Sequence, residues 1–203
     1  MKLYFSPGAC SLAPHIALRE TNTPFTLEKV DTATHKTAQG DDYYALNAKG
    51  AVPMLELASG ERLTEGPVIA QYVAELARDT KLLPPAGSLA RYRVLEWQNY
   101  ITSELHKSFS PLFGKPALDA AGKAAFVAAL GTKLSWVSSQ LRDKDYLTGA
   151  DFTVADAYLF AVASWARFVE LDLSGAPELS SFLSRVRERP AVQAAMRAEG
   201  LIA

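Results

Sequence analysis

KLYFSPGACSLAPHIALRE, residues 2–20, decides the fold. Tyr4 and Phe5 mark a short strand over 2–6, and from 11 to 20 the apolar residues fall at helical spacing, with Pro14 tolerated in the first turn. A second aromatic and β-branched run at 25–31 completes a βαβ unit, whose two strands run parallel. Further along, 54–57 and 61–64 read as a hairpin closed by Ala58-Ser59-Gly60. Gly66-Pro67 then opens a helix with Val68, Ile69, Tyr72, Val73 and Leu76 at helical spacing. With a short helix expected at 42–46, the first part of the chain reads β-α-β, loop, β-β-α.

The texture changes at the proline-rich stretch 82–88, where a linker belongs. The division expected is an α/β domain over 1–80, a linker over 81–89 and an all-helical domain over 90–203. In the second half one long helix carries Tyr92, Leu95, Tyr100, Ile101, Leu105 and Phe109, until Pro111 bends or ends it. Further helices are expected at 124–141, 152–171, 178–187 and 191–198. The one at 152–171 has a marked start: Thr153 is followed three residues on by Asp156, a capping box with the shorter acid, and Phe152 can staple onto Ala157.

Composition narrows the function classes. Hydrophobic residues make up 49% and charged residues 21%, and no apolar run approaches the roughly 18 residues that span a bilayer. No membrane partner is expected. Lys plus Arg number 21 against 22 Asp plus Glu, a formal charge of −1, and no basic cluster is dense enough to track a phosphate backbone, so nucleic acid is not an expected partner either. The N-terminal apolar patch is broken by Pro7 and Gly8 too early for a secretory signal, which points to a cytoplasmic protein. A single cysteine, Cys10, excludes an intramolecular disulfide and any multi-cysteine zinc site.

Cys10 lies in the turn between the first strand and the first helix. Unpaired N–H groups and the positive end of the helix dipole stabilise a thiolate there, so a lowered pKa and a reactive thiol are expected. The competing reading is a buried thiol that packs like an alanine. Ser11 is either the neighbouring nucleophile or a helix cap. At Val52-Pro53 a cis bond would turn the Val52 backbone outward, free to pair with an extended peptide. Glu65, in the first turn of the following helix, is either a favourable charge on the helix dipole or an acceptor for a ligand ammonium. On the long helix Asn99, Ser103, His106 and Lys107 share roughly one face, with Glu104 at its edge. That stripe is either a solvated surface or a site in which a histidine meets a sulfur and a lysine attracts an anion. His15 reads as structural. His35 and Lys36 could meet a carboxylate or simply face water.

Four motifs in order carry a resemblance: the opening stretch, GAVPMLEL with TEGPVIAQY, EWQNYITSELHKSFSPLF, and DFTVADAYLF. Over essentially its whole length the chain resembles a bacterial beta-class glutathione S-transferase. The resemblance implies a thioredoxin-like N-terminal domain, an all-α C-terminal domain, a homodimer, glutathione as co-substrate and no metal. It further implies that Cys10, flanked by Ala9 and Ser11, contacts the glutathione sulfur with His106 nearby and can form a mixed disulfide with it. Val52 and cis-Pro53 would pair with the glutathione backbone, and Glu65 and Gly66 would hold its γ-glutamyl end. Ser103, Glu104 and Lys107 would line the site, while Asn99 reaches toward the glutathione of the neighbouring subunit. The Thr153 and Asp156 pair resembles the family's folding motif.

Two positions depart from the family pattern. His35, followed by Lys36, stands where lysine commonly meets the glycyl carboxylate, and Gly66 stands where many relatives have serine. The activity implied is conjugation of glutathione to hydrophobic electrophiles, as in detoxification, with the electrophile near Phe109, Leu112, Phe113 and Trp165, residues that otherwise read as core. Alternatives are thiol-disulfide exchange or reductive dehalogenation with Cys10 as nucleophile, and a non-enzymatic scaffold of the same fold.

Overall fold

The computed structural model describes residues 1–114 and 116–203. Strand β1 (Lys2–Phe5), helix α1 (Leu12–Glu20) and strand β2 (Thr26–Asp31) form the expected βαβ unit, and β1 and β2 pair in parallel with Leu3 beside Leu27. A two-residue strand β3 (Lys36–Thr37) and a one-turn helix α2 (Tyr43–Leu46) follow, then β4 (Met54–Glu56), β5 (Arg62–Thr64) and α3 (Gly66–Leu76). The sheet order is β3-β2-β1-β4-β5, with β4 antiparallel to both β1 and β5. Strand β3 escapes sequence reading because two polar residues carry no alternation; it pairs with Val30 and Asp31 of β2 on the sheet edge, and Lys36 also bridges to Asp42.

Pleating sorts the strand residues onto two faces. Leu3 and Leu55 join a large core with α1 and α3, while Tyr4, Val30 and Met54 meet Tyr43 in a small cluster on the other side. This arrangement is the thioredoxin-like one.

The rest of the described chain is helical: α4 (Leu89–Tyr100), α5 (Lys107–Phe109), α6 (Ala120–Gln140), α7 (Val154–Ala163), α8 (Pro177–Arg187) and α9 (Pro190–Ala198). The single long helix expected at the start of this half is interrupted. Between α4 and α5 lies a π-helical turn, Ile101–His106, and a 3-10 turn, Ser110–Phe113, follows α5 with Pro111 in its first turn. The Thr102 and Ser103 hydroxyls donate to the carbonyls of Gln98 and Asn99 at 2.8 and 3.1 Å. They compete there with backbone N–H groups, where the helix widens. Helix α6 begins earlier than its apolar pattern because Asp119 caps it through Gly122 N–H at 2.7 Å. Helix α7 is shorter than 152–171 and gives way to a 3-10 turn, Ser164–Phe168.

Helix α1 packs against α3, α7 and α9, so the core runs from the sheet into the helical half. At the start of α7 the buried Asp156 carboxylate accepts Thr153 N–H, the Thr153 hydroxyl and Leu147 N–H at 2.8, 2.7 and 2.8 Å. No helix among the described residues is long and apolar enough to cross a membrane.

Candidate active site

The first turn is built around Ser6 and Ser11. The Ser11 hydroxyl donates to Ser6 O and accepts from Ser6 N–H, both at 3.2 Å, and its side chain is fully buried. Ser11 therefore acts as a clasp of the turn, and the structure puts no free hydroxyl there. The clasp leaves Cys10 facing the cis Val52–Pro53 peptide, with Sγ donating to Val52 O at 3.4 Å.

The ionisation of Cys10 runs against the sequence expectation. Burial pushes the thiol up to about 11, while the N–H groups of Cys10 and Ser11 pull it down and the Glu65 carboxylate pushes it further up. The helix-start effect is present, but desolvation outweighs it. Cys10 is thus a neutral thiol near pH 7, a proton donor rather than a thiolate.

Around it lies a cleft of about 330 Å3. Val52 and Pro53 supply one wall, Glu65 and Gly66 a second, and His106 and Lys107 the third. Glu65 adopts φ +72°, a conformation rare for a residue with a Cβ. Its carboxylate meets Lys49 Nζ at 2.6 Å, and both side chains are more than half exposed, at 63% and 57%. Burial, reinforced by the Lys107 charge, pushes His106 down to about 4, so the imidazole is neutral. Its Nδ1 lies 2.7 Å from the Tyr158 hydroxyl, which burial holds well above the usual phenol range. Where that hydroxyl donates, Nε2 carries the ring proton.

Seven lining residues escape sequence reading as site residues: Asn47, Lys49, Ala51, Thr64, Pro67, Thr102 and Tyr158. Thr102 had a usable signal, four residues before His106 on one helix face. Tyr158 sits in an apolar run that reads as core, where a buried hydroxyl needing a partner is the one clue. Lys49 leaves only its closeness to the Pro53 motif.

Other expected residues lie elsewhere. Neither Ala9 nor the pair His35 and Lys36 lines the cleft. His35 uses Nδ1 on Gly50 O and Nε2 on the Tyr44 hydroxyl, both at 3.1 Å. A Cβ at Gly50, whose φ is +63°, would lie 2.5 Å from the Tyr44 ring, so this packing requires glycine. Lys36 lies exposed on the edge strand. Asn99 and Ser103 do not line this cleft: Ser103 bonds back to Asn99 O, and Asn99 is exposed, as a residue expected to reach the neighbouring subunit's glutathione must be. Glu104 pairs with Lys133 at 2.9 Å.

Of the four apolar residues expected near the electrophile, the three aromatics pack together, and none of the four lines the Cys10 cleft. Trp165 stands edge-on to His106, Phe109 and Phe113 at centroid distances of 4.9, 5.6 and 5.9 Å. Phe109 is fully buried and serves as core, so Phe113, half exposed, and Leu112 supply the accessible surface. Trp165 and Gly8 also line a separate, mostly apolar cavity of about 220 Å3 that shares no residue with the cleft.

Comparison with known proteins accounts for this arrangement. Residues 8–76 match the glutathione S-transferase N-terminal domain and residues 100–190 the glutathione S-transferase C-terminal domain. The chain is 49% identical to glutathione S-transferase GstA of Escherichia coli O157:H7, over 99% of this chain and 100% of that one. Among solved structures, a sphingomonad glutathione S-transferase complexed with glutathione is 45% identical, with a TM-score of 0.94 and full coverage of both chains (100% each). A beta-class glutathione S-transferase of Sphingomonas chungbukensis is 46% identical, again with a TM-score of 0.94 and 100% of both chains covered. The chain belongs to the glutathione S-transferase family, in its bacterial beta class.

Proposed function

We propose that the chain binds reduced glutathione in the Cys10 cleft and joins it through its sulfur to small hydrophobic electrophiles. One observation carries the reading: the Cys10 thiol, the Val52–Pro53 peptide and an acid at Glu65 line one cleft. Glutathione has a thiol, an extended backbone and an ammonium flanked by a carboxylate. Glu65 takes the ammonium, and the first N–H groups of α3, from Gly66 onward, take the γ-glutamyl carboxylate. Val52 pairs with the cysteinyl backbone. For the glycyl carboxylate, Lys107 lines the cleft in place of His35 and Lys36, while Lys49 stands beside Glu65.

The sulfur then lies beside Cys10 and His106. Both are neutral, so each stabilises a glutathione thiolate by donating a proton toward it without taking its charge. The glutathione thiol proton passes to solvent, and the sulfur lone pair then forms a C–S bond: halide leaves with its bonding pair, or the π pair of an activated alkene moves to the far carbon, where a solvent proton quenches it. Phe113, Leu112 and Trp165 hold the electrophile. Thiol-disulfide exchange and dehalogenation through Cys10 require its thiolate, which burial disfavours, so conjugation is the leading activity. The chain works as a homodimer: α3 and α4 expose Val68, Leu76, Leu89 and Tyr92 at 46 to 70%, an apolar surface that calls for a cover. A reducing cytoplasmic compartment suits its single free thiol.

Calorimetric titration of reduced glutathione at pH 7 tests the reading. Saturable binding at one site per chain is expected, kept in Cys10→Ala, which loses any disulfide exchange. Absence of binding overturns it in favour of a scaffold.

A further inference from the structure

The Cys10 turn is held by residues that do not line the cleft. Gly8, two positions before Cys10, adopts φ +71°, and both ends of this residue are bonded by the C-terminal half. Its N–H donates to Glu199 Oε2 at 2.9 Å, and its carbonyl accepts from Trp165 Nε1 at 2.8 Å. The other Glu199 oxygen lies 2.8 Å from His15 Nδ1, and both side chains are fully buried, at 0%. The His15 ring packs edge-on to Phe25 at 5.5 Å, and its Nε2 receives Arg19 Nε at 3.4 Å. Burying a carboxylate is costly, and an apolar side chain would fill the same space. What the carboxylate adds is direction: a fixed acceptor for one N–H, itself fixed by His15.

We propose that Glu199, oriented by His15, and Trp165 are positioning residues that hold the Gly8 backbone and thereby set the depth of Cys10 in the cleft. The proposal rests on the reading of that cleft as the glutathione sulfur site. The anchors for the remainder of glutathione, Val52, Glu65 and Gly66, are on other elements, so loosening Gly8 moves the sulfur end alone. A Cys10 that swings outward gains water, and its thiol ionises more readily. The titratable groups that share the cleft with it, Glu65 at the start of α3, His106 and Lys107 after α4 and Tyr158 on α7, stay where they are.

Alkylation of Cys10 by iodoacetamide, followed from pH 6 to 11 by mass spectrometry, reads the depth of the thiol without glutathione; Cys10 is the one cysteine, so the signal has a single source. Glu199→Ala and Trp165→Phe, the latter keeping an aromatic wall but no N–H, are expected to shift the alkylation midpoint down by about one pH unit. They are also expected to lower kcat about tenfold, with KM for glutathione within about twofold. Glu199→Gln keeps an acceptor for Gly8 N–H and stays nearest the native profile. Arg189→Ala, which breaks the Arg189–Glu20 pair between α9 and α1, is the control: its Tm falls while its alkylation profile stays native. Native profiles in Glu199→Ala and Trp165→Phe overturn the proposal, as does an equal shift in Arg189→Ala. If Glu199→Ala does not fold, the alkylation profile of Trp165→Phe decides alone. A protein that shows these shifts but binds no glutathione keeps the positioning role and loses the substrate reading.

Discussion

Two helix starts face the cleft, and they are built in opposite ways. At α1 the turn is dry: Ser11 is buried, Gly8 is bonded on both sides, and burial keeps Cys10 neutral. At α3 the turn is wet: Glu65 takes a left-handed conformation, is 63% exposed and reaches Lys49, itself 57% exposed. A pair so open to solvent contributes little to stability, so the unusual backbone of Glu65 is better explained by what it presents to a ligand. The difference teaches a division of labour. The wet end holds a charged ligand in exchange for water and Lys49, whereas the dry end keeps donor geometry fixed around a sulfur.

The largest effect is expected where the dry end is anchored. Asp156 caps α7, the helix that supplies Tyr158 and, through its hydroxyl, holds His106. Burial raises the Asp156 carboxyl to about 6, although three N–H and hydroxyl donors favour the ionised form. In the unfolded chain the group titrates near 4. Folding therefore takes up a proton between those values: the contribution of Asp156 is whole below pH 4 and is lost as pH rises toward 6, by on the order of 3 kcal/mol. Denaturant midpoints at pH 4 and 6.5 check this, with Asp156→Asn expected to flatten the dependence. A native slope in that variant assigns the proton elsewhere.

At the dry end itself, His106→Ala is expected to lower kcat about a hundredfold with little change in KM for glutathione. At the wet end, Glu65→Ala is expected to raise the glutathione Kd roughly thirtyfold, the loss of a charge-assisted hydrogen bond, with kcat largely kept. Steady-state kinetics on both variants test the division directly. A fall in kcat alone for Glu65→Ala, or a rise in KM alone for His106→Ala, breaks it.

These two ends were not equally legible in the chain. The βαβ opening, the β4–β5 hairpin and the Thr153–Asp156 box declare themselves because period, turn chemistry and capping are local properties. Cys10, Val52, Pro53, Glu65 and His106 stood out by motif, and all line the cleft. The sign of the Cys10 shift did not, because a helix start is visible in sequence while desolvation depends on Val52 and its neighbours, far along the chain. The π turn was equally hidden: Thr102 and Ser103 look like ordinary polar helix residues, and their hydroxyls bond to the carbonyls of Gln98 and Asn99 as such residues do in a regular helix. Lys49 and Tyr158 reach the cleft only through tertiary packing.

The smallest expected effect sharpens the wet end. Gly66 opens α3 with no left-handed φ, and a Cβ there would meet Pro53 Cγ at 3.5 Å, ordinary contact, so a side chain fits without strain. In Gly66→Ser the added hydroxyl stands at the helix start, where the γ-glutamyl carboxylate is expected to receive N–H bonds. One more donor is worth about 1 kcal/mol, so glutathione should bind several-fold more tightly. Serine and alanine both favour a helix over glycine, and Gly66→Ala therefore serves as the reference that cancels backbone effects. Calorimetric Kd values for the two variants isolate the hydroxyl. If serine binds no more tightly than alanine, the γ-glutamyl carboxylate does not lie at this helix start, and the wet end reduces to the Glu65 contact alone.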